Sequence, residues 1–264
     1  MCARRQSSSP IYSGKIDHSL KKVKYQNLLM TASVPKIRPL GDTGTLLQWE
    51  ETPSEQLLHY MIAVKKHLSE QLQCEVVHTY TELLLKKPSP TVTASEIKKL
   101  LETVEVETTV RRKLFTIPVC YGRGYGEDLE ALALMKQLSV KEFIAMHTAP
   151  EYLIYFIGFL PGFLYLDGLH ERLVTPRKAT PRLKVTSGSV AIGGNHTGIY
   201  PQESPGGWHI IGRTPIDLFD VRRQEPSPFK AGDKIRFEAI SITTFQKIKR
   251  QVENGIYNYN VKVF

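Results

Sequence analysis

Cys2, Cys74 and Cys120 are the only cysteines in 264 residues, and none stands in a CxxC pairing. So odd and sparse a set excludes a disulfide framework and a cysteine-based zinc site, and points to a reducing compartment. A long hydrophobic run is missing too. The longest, Tyr152 to Leu166, is interrupted by Gly158, Pro161 and Gly162, whereas a helix needs about 20 apolar residues to cross a bilayer. The basic N-terminus has no apolar segment behind it, which excludes a secretory signal. The expectation is a soluble, cytoplasmic protein with no membrane role.

A basic stripe interleaved with aromatics is also absent, although the formal net charge is +9. Residues 1–30 hold Arg4, Arg5, Lys15, Lys21, Lys22 and Lys24 against Asp17 alone, a net of +5, so only +4 is left for the remainder. Charge concentrated in a tail is not the footprint of a nucleic-acid surface, and no nucleic-acid partner is expected. Hydrophobic content of 41% and charged content of 23% are ordinary globular values, and the length suits one large or two modest domains.

Residues 1–33 show little periodicity and read as a disordered basic tail, within which Met30 offers a second translation start. Residues 34–116 read as a small α+β domain. Lys36–Leu40 and Leu46–Glu50 flank a hairpin-like turn. Ser54 caps a helix carrying Leu57, Leu58, Met61, Ile62 and Leu68, and Cys74–Thr79 and Thr81–Lys86 follow as strands. Pro88-Ser89-Pro90 ends that unit, and Thr93-Ala94-Ser95-Glu96 forms a capping box. His59, His67 and His78 are isolated and suit surface or packing roles.

Residues 117–264 read as a β-barrel or tight sandwich with peripheral helices. Asp128 is positioned to cap a helix over Leu129–Leu138, and Ser139-Val140-Lys141-Glu142 is a second capping box ahead of a helix ending near His147. The alternation of Ile235, Phe237 and Ala239 changes phase at Ala239-Ile240, which suggests a bulge or bend. Thr243 or Thr244 opens a last helix, closed at Gly255.

Ten of the 18 glycines lie between Gly158 and Gly212, with prolines at 161, 176, 181, 201 and 205. Such punctuation among short β-branched runs marks many-turned β-structure, and loops on a rigid scaffold are where binding groups concentrate. Several chemistries fail on spacing. Tyr121-Gly122-Arg123-Gly124-Tyr125-Gly126 lacks the third glycine of a dinucleotide fingerprint and the Lys-Ser/Thr of a P-loop. Ser187, Ser189 and Ser204 lack a nucleophile elbow, and His196 and His209 have no ligand at metal spacing. What remains is an anion-binding set. Arg177 and Arg182 offer planar forks for carboxylate or phosphate, provided a turn brings them to one side; otherwise they are two surface arginines, or one pairs with Glu171 or Asp167. Tyr200, Gln202, Ser204, Gly206, Gly207, Trp208, His209 and Arg213 surround them. The Gly206-Gly207 amides suit developing negative charge, and Trp208 reads as a core plug or a stacking platform.

The runs GFLPGFLYLDGL, PRKATPRLKVTSGSVAIGGNHTGIYPQESPGGWHIIGRTP and AGDKIRF resemble the KipI-type family, also called allophanate hydrolase subunit 1 or the B-type subunit of prokaryotic 5-oxoprolinase. The similarity runs from about Ile37 to Ile242. It implies an α+β N-terminal domain and a mainly-β, cyclophilin-like barrel C-terminal domain, with kinship to the carboxyltransferase region of urea carboxylase. The implied activity is ATP-dependent opening of 5-oxo-L-proline to L-glutamate, with ADP and phosphate as co-products, together with A-type and C-type partner subunits. ATP, with Mg, would then be shared with the C-type partner, and this chain would be inactive alone. Arg177 and Arg182 would serve the substrate carboxylate or phosphate, with Tyr200, Gln202 and His209 lining the pocket. Ser187, His196 and His209 depart from the family pattern, which puts the substrate-facing role of His209 in question. The alternative implied by the family is a regulatory protein that inhibits a sensor histidine kinase without catalysis of its own.

Overall fold

Two capped helices organise the first unit. Ser54 Oγ accepts the Leu57 N–H at 3.1 Å and opens α1 (Glu55–Leu72). Thr93 and Glu96 exchange side-chain and backbone bonds as a capping box at the head of α2 (Ala94–Glu102), satisfying two amide groups a helix start leaves open. Around them run β1 (Lys22–Lys24), β2 (Lys36–Leu40), β3 (Gly44–Gln48), β4 (Glu75–His78), β5 (Glu82–Lys86) and β6 (Glu105–Glu107). The antiparallel sheet has the order β2-β3-β5-β4. Leu47, Val76, Leu83 and Leu85 on its inner face bury Met61, Val64 and Leu68 of α1 and Ile97 and Leu101 of α2.

This computed structural model describes residues 22–24, 33–86, 92–107, 111–122 and 124–264. The rest of the expected tail, the Pro88-Ser89-Pro90 break and Arg123 lie outside them. Three residues of that tail are not separate from the fold, because β1 pairs antiparallel with β6.

The second unit comprises β7 (Lys113–Tyr121), α3 (Leu129–Met135), α4 (Val140–Thr148), β8 (Glu151–Ile157), β9 (Leu164–Asp167), β10 (Arg182–Val185), β11 (Ser189–Gly193), β12 (His196–Ile199), β13 (Ser204–Gly206), β14 (His209–Arg213), β15 (Lys234–Ala239), α5 (Ile242–Glu253) and β16 (Asn260–Val263). The order β14-β11-β12-β9-β8-β15-β7 closes on itself through Gly212↔Tyr121 and Arg213↔Cys120. The remaining edge of β7 takes β16. Only the β15–β7 pairing within this sheet is parallel. Closure removes the exposed edges an open sheet would leave. Ile117, Val119, Ile154, Leu164, Leu166, Val190, Ile192, Ile199, Ile211 and Phe237 fill the interior.

Several boundaries differ from the sequence reading. β7 belongs to the barrel from Lys113, so that unit begins before residue 117. α3 ends at Met135, short of Leu138. The register of β15 on β7 is unbroken from Lys234↔Leu114 to Ala239↔Val119. The phase change at Ala239-Ile240 is therefore the strand's end, and a register shift lies instead in β8, between Ile154 and Phe156. Ser241, not Thr243 or Thr244, caps α5. No helix of the described residues is long and apolar enough to cross a membrane.

The two units meet at an aromatic seam. Leu58, Ile62 and Tyr80 pack against Leu153, Tyr155, Phe156 and Tyr165. His78 Nε2–H donates to the Tyr155 carbonyl at 2.9 Å, which ties β4 to β8. Burial, aided by Lys65, lowers the His78 pKa to about 4, so the ring is neutral at physiological pH. Tyr80 stacks on His196, with ring centroids 4.6 Å apart.

Candidate functional site

Residues 174–182 form a strap across the outer face of the barrel, and each pentad of the Pro-Arg repeat is fastened differently. Thr175 and Gly194 exchange backbone bonds of 3.0 and 2.7 Å. His209 Nε2–H donates to the Pro176 carbonyl at 2.9 Å, and the Lys178 N–H donates to the Gly207 carbonyl at 2.8 Å. Beyond that point the strap is held by one carboxylate. Asp128 accepts Lys178 Nζ at 2.7 Å, both terminal nitrogens of Arg182 at 2.8 and 2.9 Å, and the Ile210 N–H at 2.7 Å. Burial alone would raise the Asp128 pKa, but the Arg182 fork, the Lys178 ammonium and the Ile210 N–H outweigh it and hold the carboxyl at about 2. The carboxylate is therefore ionised throughout the physiological range.

Asp128 stands at the N-cap of α3 as its position suggests, yet its side chain makes no capping bond. Arg182 likewise pairs with Asp128, with Glu127 at 3.4 Å, rather than with Glu171, Asp167 or an open anion site. Its bidentate fork is filled from within the protein.

Arg177 is left exposed between two fastened neighbours. Its guanidinium lies 5.7 Å from the Trp208 ring centre, and no carboxylate of the described residues pairs with it. Trp208 is itself buried, meeting Phe163 and Tyr165 edge-on at 5.5 and 6.0 Å. It is thus a core plug and also a plate beneath a cation, the arrangement in which an arginine keeps its charge available. The indole lies flat on Gly193, where a Cβ would stand 2.5 Å from the ring. Gly193→Ala is therefore expected to lift Trp208, lower stability by ~1–3 kcal/mol and shift tryptophan emission. Thermal denaturation and fluorescence together check this.

The other sequence candidates separate into groups. Tyr200 is buried, burial raises its pKa, and its hydroxyl oxygen accepts the Trp208 backbone N–H. Gly206 sits in the β10–β13 ribbon with its α-carbon against the Tyr200 hydroxyl, where a Cβ would come within 2.4 Å. Its lack of a side chain serves packing. The Gly207 carbonyl and the Trp208 N–H are engaged in holding the strap and Tyr200. Ser204 Oγ donates to the Pro205 carbonyl at 3.1 Å, and Gln202 is exposed. Arg213 lies elsewhere, over the Tyr125 ring at 5.4 Å, and Tyr125 in turn packs on Phe245 of α5.

Sequence reasoning missed Asp128 as the anchor, and it missed Tyr80, whose ring stacks on that of His196. Tyr80 comes from the other unit, so no local spacing signals it. His196 Nδ1 lies 4.0 Å from Asp167. Burial lowers the His196 pKa, with Arg177 contributing and Asp167 opposing, so this imidazole is neutral at pH 7. No group of three or more His, Cys, Asp or Glu among the described residues is arranged to hold a metal. The arrangement offers a cation on an aromatic plate, suited to one carboxylate or phosphate.

Comparison with known proteins agrees with this architecture. The family model for the carboxyltransferase domain, subdomain C and D, matches residues 35–229. The B-type subunit of the Bacillus subtilis 5-oxoprolinase is 34% identical over 233 residues, covering 82% of this chain and 97% of that protein. The crystal structure of TTHA0988 superposes with a TM-score of 0.66 at 32% identity, covering 75% of this chain and 40% of that one. The urea amidolyase of K. lactis shares the fold, with a TM-score of 0.70 at 18% identity, over 89% of this chain and 17% of the larger one. This chain thus spans less than half the length of either solved structure. With the family model covering most of the chain and a relative matched over nearly its whole length at 34% identity, the chain belongs to the carboxyltransferase-domain family, subdomain C and D.

Proposed function

We propose that this chain is the B-type subunit of an ATP-dependent 5-oxoprolinase, which opens 5-oxo-L-proline to L-glutamate with A-type and C-type partner subunits. The observation that carries the residue assignment is the Arg177 guanidinium, paired with no carboxylate among the described residues and held on Trp208 between two fastened strap residues. Arg177 binds the substrate carboxylate, or a phosphate formed as ATP activates the lactam. Lys178, Arg182 and His209 position it and do not touch the substrate. Activation of a lactam oxygen by phosphoryl transfer builds negative charge, and a preorganised cation stabilises it.

One unpaired guanidinium suits a single anionic group and not a whole Mg–nucleotide, so most of the ATP and Mg contacts fall to the C-type partner. This division accounts for the lack of a paired nucleophile and base. The barrel is of the cyclophilin-like kind in this reading, the chain acts in the cytoplasm, and it is inactive alone. No observation favours the kinase-inhibitor alternative.

The test is ATP-dependent glutamate release from 5-oxoproline by the chain co-expressed with its two partners. Losing a charge-assisted contact of ~3 kcal/mol corresponds to ~100-fold. Arg177→Ala is therefore expected to reduce kcat/KM by about that factor with Tm unchanged, whereas Arg182→Ala should lower Tm. Glutamate release that persists without this subunit, or that is indifferent to Arg177→Ala, would sink the assignment.

A further inference from the structure

Phe159 stands in a backbone conformation that its own side chain disfavours. Its φ is 67°, in the left-handed region where a Cβ crowds the following carbonyl and a bulky residue is an outlier. The turn between β8 and β9 imposes this. The Gly158 N–H donates to the Phe163 carbonyl at 3.1 Å, and the Phe163 N–H donates to the Leu160 carbonyl at 3.0 Å. Gly162 is pressed against Phe219, where a Cβ would come within 2.5 Å of that side chain. Glycine at 159 would relieve the strain. The phenylalanine returns little packing for it, being 62% exposed and meeting Phe163 edge-on at 5.6 Å. Strain kept in place to hold an aromatic ring in solvent points to a use outside the fold.

The ring lies over the same aromatic layer as Arg177. Phe163 and Trp208 sit side by side on the outer face of the barrel, where a Cβ at Gly198 would come within 3.0 Å of both, and their rings are 5.5 Å apart. Phe159 meets the first of them and Arg177 the second. Val185 of β10 packs into that layer, and Leu183 on the same strand is 91% exposed. Two large apolar side chains therefore flank a cation that pairs with no carboxylate among the described residues. Exposed aromatic rings beside arginine are the composition enriched where protein surfaces meet.

We propose that Phe159 and Leu183 anchor the C-type partner subunit, which closes over Arg177 from this side. This rests on the function proposed above and names the surface through which that partner reaches the site. Arg177 by itself does not hold ATP and Mg, so the groups that do must approach the same aromatic layer. In TTHA0988 the matched unit is 40% of the chain, so a unit of this kind is joined there to further protein. The partner surface offers an apolar socket for the ring. Covering the ring and the leucine together excludes water from around Arg177, which strengthens the electrostatic contact it makes.

The test is the affinity of the full chain for the separately purified C-type subunit, measured by titration calorimetry, with the Tm of the chain alone as a second readout. Phe159→Gly is expected to weaken the association by about tenfold or more. Its Tm should equal or exceed that of wild type, because glycine accepts the left-handed backbone. Leu183→Ser should weaken the association with Tm unchanged, and Phe159→Tyr, which keeps the ring, should retain it. An unchanged affinity or a lowered Tm in Phe159→Gly would show that the ring serves only the turn, and either result overturns the proposal. A wild-type chain that does not bind the C-type subunit sinks the subunit reading and this surface with it, so the two failures are distinguishable.

Discussion

Replacing Asp128 by alanine is expected to remove ~3 kcal/mol of folding stability, the scale found when one member of a buried ion pair is deleted. For a chain of this size that is a fall in Tm of ~6–12 °C. The loss is large because four donors converge on one carboxylate. Without it the Lys178 ammonium and the Ile210 N–H lose their carboxylate, and Arg182 keeps only Glu127, at 3.4 Å. The strap then loses its second anchor, Arg177 is no longer held over Trp208, and KM in the assembled complex should rise as well. Asp128→Asn retains the shape but not the charge and should fall between wild type and alanine. The acid limb supplies a second check. The folded pKa of about 2 lies below the ordinary 3.8, so the contribution is present above pH 3.8 and is lost as pH falls toward 2. An Asp128→Ala protein with wild-type Tm would show that the anchor bears no strain of the fold.

His147→Ala is expected to be costlier still, at ~4 kcal/mol, because it combines a core cavity with a broken polar chain. The residue is 0% exposed and stacks on Phe237 at 4.7 Å. Its tautomer follows from its neighbours. Thr197 Oγ1–H donates to the Ala191 carbonyl at 2.9 Å, so the Thr197 oxygen must accept Nε2–H of His147, at 3.0 Å. Nδ1 then accepts the Tyr121 hydroxyl proton at 2.8 Å. This chain of bonds links α4, β7, β12 and β11, and alanine would leave the Tyr121 hydroxyl unpaired inside the barrel and remove the donor to Thr197, which keeps its bond to Ala191.

Burial lowers the His147 pKa to about 3, against an ordinary 6.5. Between these values the unfolded chain binds a proton that the folded chain refuses. The stabilising contribution is therefore full above pH 6.5 and declines as pH falls toward 3, by up to ~1.4 kcal/mol per pH unit. His78, lowered to about 4, acts in the same direction over a narrower window. Urea denaturation at pH 7.5 and pH 5 should show wild type losing more stability than His147→Ala over that interval. Equal losses would mean that His147 does not remain neutral in the folded barrel.

Features carried by neighbours in sequence were legible. Ser54, the Thr93–Glu96 box and the Ser139–Glu142 box depend on residues three apart, and all three cap helices. The alternation of Ile235 and Phe237 placed their burial without any knowledge of the strands beside them. Asp128 and Ser241 show the limit of such reasoning. A cap is one of several uses for a short polar side chain, and in Asp128 the donors of Lys178, Arg182 and Ile210 outcompete the helix amides. The bulge expected at Ala239-Ile240 fails for a similar reason, since a change of phase in the sequence cannot distinguish a slip in register from the end of a strand.

The long motifs between Gly158 and Pro215 and the concentration of glycine there determined, from the chain alone, the family and the region where binding groups gather. They treated Arg177 and Arg182 as equals, because both follow proline in the same small repeat. The tertiary structure decided between them. Arg182 meets a carboxylate 54 positions away along the chain, whereas Arg177 meets the face of an indole and no counter-ion among the described residues. Whether a cation is available to a ligand depends on the local field and on what already fills its fork. That field is made by groups brought together only when the barrel closes and the first unit docks against it.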